Sequence, residues 1–227
     1  MTRLELKTLV GYFAQASGQA YITAASDINA LIGECIGIYA EETLTFFDPK
    51  IALTLSSGVS AYDLRSLSIV SKKVCLPVSV AIGNATLTNM YGRPGPISST
   101  EWHGLSDAYS VSNATPTRWT WEPPNTLRLY AAPSSAGSNN YVSGYYIPAD
   151  LSADGDEVPL PAECERELAL FVTSRLLDPR ASGESLEKVQ RLDQVAWARF
   201  QARKERAAQL MNTVYRADQT KAYPETQ

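Results

Sequence analysis

The chain has one histidine, His103, in the context Glu101-Trp102-His103-Gly104. A histidine titrates near neutrality and suits general-base work, but no nucleophile pattern accompanies this one. There is no Gly-x-Ser-x-Gly elbow, and no cysteine stands with His103 in a recognisable arrangement. His103 therefore reads as a turn or strand-end residue. A zinc site needs several His or Cys ligands at close spacing, and the sequence has none. Cys35, Cys75 and Cys164 are far apart in apolar surroundings and read as buried free thiols. Asp150, Asp154, Asp156 and Glu157 form the one dense acidic cluster, without the fixed glycine and terminal glutamate of a calcium loop. It reads as a solvated link. No Gly-x-x-x-x-Gly-Lys-Ser/Thr loop is present to cradle the phosphates of a nucleotide. Trp102, Trp119 and Trp121 offer faces on which a sugar could stack, yet core packing in a small β domain accounts for them. The expectation is a protein without catalytic residues, metal ligands or cofactor.

Composition bounds the rest. The 227 residues suffice for one large domain or two small ones with cores of their own. Hydrophobic residues make up 44% and charged residues 19%, as in ordinary globular proteins. No apolar run approaches the roughly 20 residues of a membrane helix. The opening MTRLELKTLV lacks the apolar core and cleavage site of a signal peptide, which predicts synthesis in the cytoplasm and no membrane partner.

The net charge of −4 is unevenly spread. Between Arg175 and Arg216 stand nine basic and five acidic residues, a local excess of four that leaves −8 elsewhere. Most of these charges read as a solvated helix face. The dense group Arg199, Arg203, Lys204 and Arg206 points to an acidic partner. Nucleic-acid binding is disfavoured, because no aromatic or glycine-rich RNA-reading motif accompanies the cluster and the chain as a whole is acidic.

Helical periodicity appears at both ends of the chain. Leu6, Leu9, Val10 and Phe13 share one face of a predicted helix over residues 3–17, which Gly18 would end. A second helix over 27–40 turns Ile28, Leu31, Ile32, Cys35, Ile36 and Tyr39 inward. Its Gly33 and Gly37 would let another helix come close. Pro161 suits the first turn of a third helix, whose Glu163, Glu165 and Glu167 complement the dipole and which Asp178-Pro179 stops. A long fourth helix starts near Ser182 or Ser185. It carries Val189, Leu192, Ala196, Phe200, Ala207, Leu210 and Val214, with Arg203 interrupting the stripe.

From Thr43 to Ile147 the period changes to short runs of Val, Ile, Thr and aromatics between turn residues. Candidate strands cover 44–47, 51–55, 61–64, 73–81, 108–112, 118–121, 126–131 and 141–147. Alternation in Arg118-Trp119-Thr120-Trp121 and Leu127-Arg128-Leu129-Tyr130 suggests one covered and one wetter face. PSSAGSNN at 133–140 reads as a hairpin loop between the last two strands. The predicted class is α+β. Residues 1–42 and 159–214 form a bundle of two N-terminal and two C-terminal helices, and 43–150 an inserted antiparallel β sandwich or barrel. Residues 151–158 form an extended link, and the unpatterned tail 215–227 becomes ordered only against a partner.

The layout resembles a known family. DINALIGECIGIY after a Tyr-Ile-Thr lead, SSGVSAYDL, PNTLRLYAAP, YVSGYYIPADLSADGDEVPLP and AECERELALFVTSRLL occur in that order. Together they resemble the head-to-tail adaptor, or connector, proteins of tailed bacteriophages, in the subset with a β domain between two helix pairs. The resemblance implies a structural protein and no enzyme. Such a protein is synthesised in the host cytoplasm and forms a ring of identical subunits, commonly a dodecamer, beneath the portal protein at the head-tail interface of the virion. C-terminal segments dock on the portal, and the opposite side receives a tail, stopper or nozzle protein. The channel passes double-stranded DNA without reading it. Arg199, Arg203, Lys204, Arg206, Tyr215, Arg216 and Tyr223 become the expected portal contacts. Loops 92–100 and 133–140, with Arg93, Pro94, Asn139 and Asn140, become expected contacts to a neighbouring subunit or the tail. The alternative is a β-domain module binding a glycan or receptor on a phage tail.

Overall fold

The computed structural model describes residues 1–16, 25–88, 96–97, 114–122, 124–177 and 183–216. It is a mixed α+β protein that divides into two compact units. One joins Met1–Phe46 to Pro148–Ala207; the other comprises Phe47–Ile147 with the stretch from Ala208 onward. The expected candidate strand 108–112 and His103 lie outside the described residues.

Five helices occur among the described residues: α1 (Arg3–Ala16), α2 (Ala25–Thr43), α3 (Glu165–Leu177), α4 (Gly183–Leu192) and α5 (Gln194–Arg216). A 3₁₀ turn, Ala162–Cys164, leads from Pro161 into α3. Every residue of α3 from Glu167 to Ser174 is buried, so this helix is covered on all sides. It packs on α1, α2 and α4. Leu6, Val10, Phe13, Ile32, Leu168, Val172 and Phe200 belong to one apolar cluster. The rings of Tyr39 and Phe171 both lie against Phe200, with centroids 5.5 and 5.2 Å from it. Cys35 and Cys164 are buried free thiols in this cluster, and burial pushes the Cys35 thiol up to about 12.

Three expectations about this unit need correction. The long fourth helix is two helices, broken at Asp193. That residue's Oδ1 accepts from Ala196 N–H at 3.0 Å, an N-cap that starts α5 anew. At Gly33, among the described residues, an added Cβ would meet Asp150 Oδ1 at 3.8 Å and no atom of another helix. The link 151–158 is folded rather than extended. Its Asp156 carboxylate accepts from Ser152 and Ala153 N–H at 2.6 and 2.7 Å. Carbonyls of Asp156 and Asp154 then accept from Arg3 and Leu4 N–H at 2.9 and 3.1 Å, satisfying open donors of α1. A capping box completes this end. Glu5 N–H donates to Thr2 Oγ1 at 3.2 Å, and Thr2 N–H to Glu5 Oε2 at 2.7 Å.

The second unit holds seven strands among the described residues: β1 (Phe47–Ala52), β2 (Ala61–Asp63), β3 (Lys73–Ile82), β4 (Ala85–Thr86), β5 (Arg118–Glu122), β6 (Thr126–Tyr130) and β7 (Tyr141–Ile147). They form a four-stranded sheet, β1-β7-β3-β4, and a three-stranded one, β2-β6-β5, with every pairing antiparallel. The predicted runs 44–47 and 51–55 give way to the single strand β1, bulged between Asp48 and Ile51. The expected hairpin at 133–140 is a crossover, since β6 and β7 belong to different sheets. Alternation holds in β6, where Leu127 and Leu129 are buried, and fails in β5. There Thr120 is buried between Trp119 and Trp121, and its hydroxyl donates to Ile97 O at 2.9 Å. Pro77 is tolerated in β3 because the strand is bulged beside it. Gly144 faces that bulge, where a Cβ would fall 2.5 Å from Leu76 O.

Candidate assembly surfaces

The four clustered cations do not act as one patch. Arg203 turns into its own unit, where Nε donates to Glu167 Oε2 at 3.1 Å and Nη2 to Glu163 Oε1 at 2.9 Å. Glu167 is 1% exposed, and its Oε2 also accepts from the Tyr39 hydroxyl at 2.9 Å. Burial, with Cys164 and the Glu167 carboxylate, pushes the Tyr39 hydroxyl far up, so it remains a donor. The break that Arg203 makes in the apolar stripe of α5 is thus the partner of a buried carboxylate. Lys204 pairs with Glu42 at 2.9 Å and lies beside the Phe200 ring. Arg199 and Arg206 are exposed. They are the members of the cluster left facing solvent.

Tyr215 and Arg216 end the backbone of α5, while Tyr223, Arg93 and Pro94 lie outside the described residues. Asn140 is buried and occupied internally. Its Oδ1 accepts from Gly83 N–H at 3.0 Å, and its Nδ2 donates to Ala136 O at 3.2 Å. Asn139 is exposed at φ 59°, with its carbonyl accepting from Asn84 N–H at 3.2 Å. Of this pair, only Asn139 presents its side chain outward.

Sequence reasoning passed over two further surfaces. On α1, Leu4 and Tyr12 are 55% and 66% exposed, two turns apart on one side of the helix. Their spacing was readable, but only the inward stripe drew attention. A shallow cleft of about 410 Å³ at the α4–α5 corner is lined by Glu187, Gln190, Arg191, Gln194, Trp197 and Ala198. Its acid and base are already paired, at 3.3 Å. Among the described residues no group of His, Cys, Asp or Glu is arranged to hold a metal ion, and no helix is long and apolar enough to cross a membrane.

Comparison with known proteins places the chain in a family. No curated protein matches the chain. The model of one family, described as SU10 adaptor protein, matches residues 1–223, and the chain belongs to that family.

Proposed function

We propose that the chain is a structural head-completion adaptor of a tailed phage, forming a ring that joins the portal protein to the tail and encloses a DNA channel. The observation that carries this reading is the family match over residues 1–223. In this reading the helical unit is a bundle around α3, and the β unit a sandwich inserted between its helix pairs. Arg199 and Arg206 face an acidic surface of the portal, and residues 215–227 continue from α5 to dock there, with Tyr215, Arg216 and Tyr223 as anchors. Arg203 and Lys204 hold α5 in place for that contact. The ring is a dodecamer of identical subunits. A stopper or nozzle protein takes the opposite side, and the loop around Arg93 and Pro94 meets a neighbouring copy or that protein.

Charge supports passage of DNA rather than capture. Residues 47–147 carry seven basic against five acidic residues, so the acidic excess of the chain lies in its remaining segments. Binding to phosphates grows with the number of cations that neutralise them, and an acidic lining avoids it. Against the glycan-binding alternative, Trp119 and Trp121 are 0% and 8% exposed and have no open face for a sugar, while Trp102 lies outside the described residues.

Negative-stain images of the protein mixed with its portal test the assignment. The expected result is a ring with a central hole seated on the portal, lost when residues 215–227 are deleted. Full-length protein that stays monomeric with portal present would overturn it.

A further inference from the structure

Asp154-Gly155 is the one place in the chain where an aspartate or asparagine precedes a glycine. That order has a chemical consequence. Glycine puts no side chain in the way of its backbone nitrogen, so the nitrogen can reach the carboxyl carbon of the residue before it. A bond from Gly155 N to Asp154 Cγ expels one water and closes a succinimide ring. One water then reopens the ring at either carbonyl. Opening at Cγ restores aspartate. Opening at the backbone carbonyl leaves the chain running through Cβ and Cγ, an isoaspartate of unchanged mass.

The structure leaves one reacting group open and holds the other. Gly155 is exposed, and a Cβ built on it would meet nothing within 4 Å among the described residues. Asp154 is bound at both of its carbonyl groups by the start of α1. Its Oδ1 accepts from Arg3 Nε at 3.0 Å and from Lys7 Nζ at 2.5 Å. Its backbone carbonyl accepts from Leu4 N–H at 3.1 Å. Arg3 is itself fixed, 7% exposed, with Nη1 donating to Leu151 O at 2.7 Å. The turn is braced beside the pair as well, where Asp156 N–H donates to Ala153 O at 3.1 Å. Ring closure requires the Asp154 carboxyl to leave both cations and swing toward Gly155. Bonds from Lys7 and Arg3 also hold that carboxyl below its usual range, whereas the group that expels water is the neutral acid.

We propose that Asp154-Gly155 is an isoaspartate-forming site that the first two turns of α1 keep closed, so that conversion runs through openings in which α1 lets go of the link. Conversion does not reverse when α1 returns. Isoaspartate lengthens the backbone by one methylene and turns the carbonyl that served Leu4 N–H into a free carboxylate. The amount of isoaspartate at 154 therefore counts the time a chain has spent with this junction open. None of this chemistry depends on what the chain assembles with.

The test incubates the full-length chain at neutral pH, folded and in urea, and then digests it. Isoaspartate is measured with an isoaspartyl methyltransferase and labelled S-adenosylmethionine on the separated peptide that carries Asp154. In urea the site should convert, and Gly155→Ala should suppress the conversion there. The folded chain should convert at least about tenfold more slowly, since only its opened fraction reacts. Lys7→Met removes one cation and leaves Arg3 in place. It should raise the folded rate roughly threefold, the scale of one partly exposed ion pair, and leave the rate in urea unchanged. Equal rates for the folded chain and the chain in urea overturn the closure by α1, as does a Lys7→Met chain that converts no faster than the parent when folded. Absence of isoaspartate at 154 in urea overturns the site itself.

Discussion

Glu167 is surrounded by core, and two helices other than its own supply what a buried carboxylate requires. Tyr39 of α2 gives it a hydroxyl donor, and Arg203 of α5 a guanidinium that also reaches Glu163. Removing one member of a buried pair leaves the other charge uncompensated, which typically costs about 3 kcal/mol or more. Arg203→Met is expected to destabilise the protein by about that amount, while Arg203→Met with Glu167→Leu recovers most of the loss. Urea denaturation of the three proteins checks this. A single variant as stable as the parent would show that Glu167 is compensated by other means. Each residue was visible in the sequence, Glu167 as a helix-dipole acid and Arg203 as a flaw in a stripe. Their pairing across 36 positions was not, because nothing local distinguishes a buried glutamate from a solvated one. Thr2 and Glu5 are the opposite case. Their capping-box spacing is local and needed only to be noticed.

At the scale of elements, the start of α1 is held by a folded turn rather than by its own helix alone. Three carboxylates serve that junction, and all are held below the usual carboxylate range. Backbone and hydroxyl bonds from Thr2 do this for Glu5, bonds from Lys7 and Arg3 for Asp154, and backbone bonds from Ala153 and Ser152 for Asp156. The lowered native values mean that the unfolded chain binds protons first as pH falls. The stabilisation is therefore complete above the unfolded values near 4 and fades as acid carries the groups through their native ones. Asp154→Asn with Asp156→Asn should flatten the loss of stability between about pH 5 and pH 2, measured by urea denaturation across that range. An unaltered acid limb would place the acid sensitivity elsewhere. Helix periods were legible because α1 and α2 bury a repeating face, while α3, covered on all sides, was marked by its flanking Pro161 and Asp178-Pro179. The break at Asp193 was not, because an aspartate on a helix surface and an aspartate capping a new helix look alike without the neighbouring Ala196 N–H. The crossover at 133–140 was hidden for a similar reason: serine and glycine mark a turn but not the sheet to which the chain turns.

In the whole molecule, the helical unit is assembled from both ends of the chain, Met1–Phe46 and Pro148–Ala207, whereas residues 47–147 are contiguous. That division has a consequence during synthesis. The two front helices leave the ribosome first, but their main covering element, α3, is more than a hundred residues away. Translation at roughly 5–20 residues per second keeps them waiting several seconds with apolar faces open. The β segment, 47–147, holds all the strand partners of its two sheets and can close once β7 has emerged. Nascent chains arrested once residue 147 has emerged should therefore yield a protease-resistant β fragment, with α1 and α2 still cut. Protection of α1 at that same length would refute this order. In this order, each ribosome translating the protein carries a finished β module tethered to two helices whose apolar faces are still open, the form in which a chaperone would meet it.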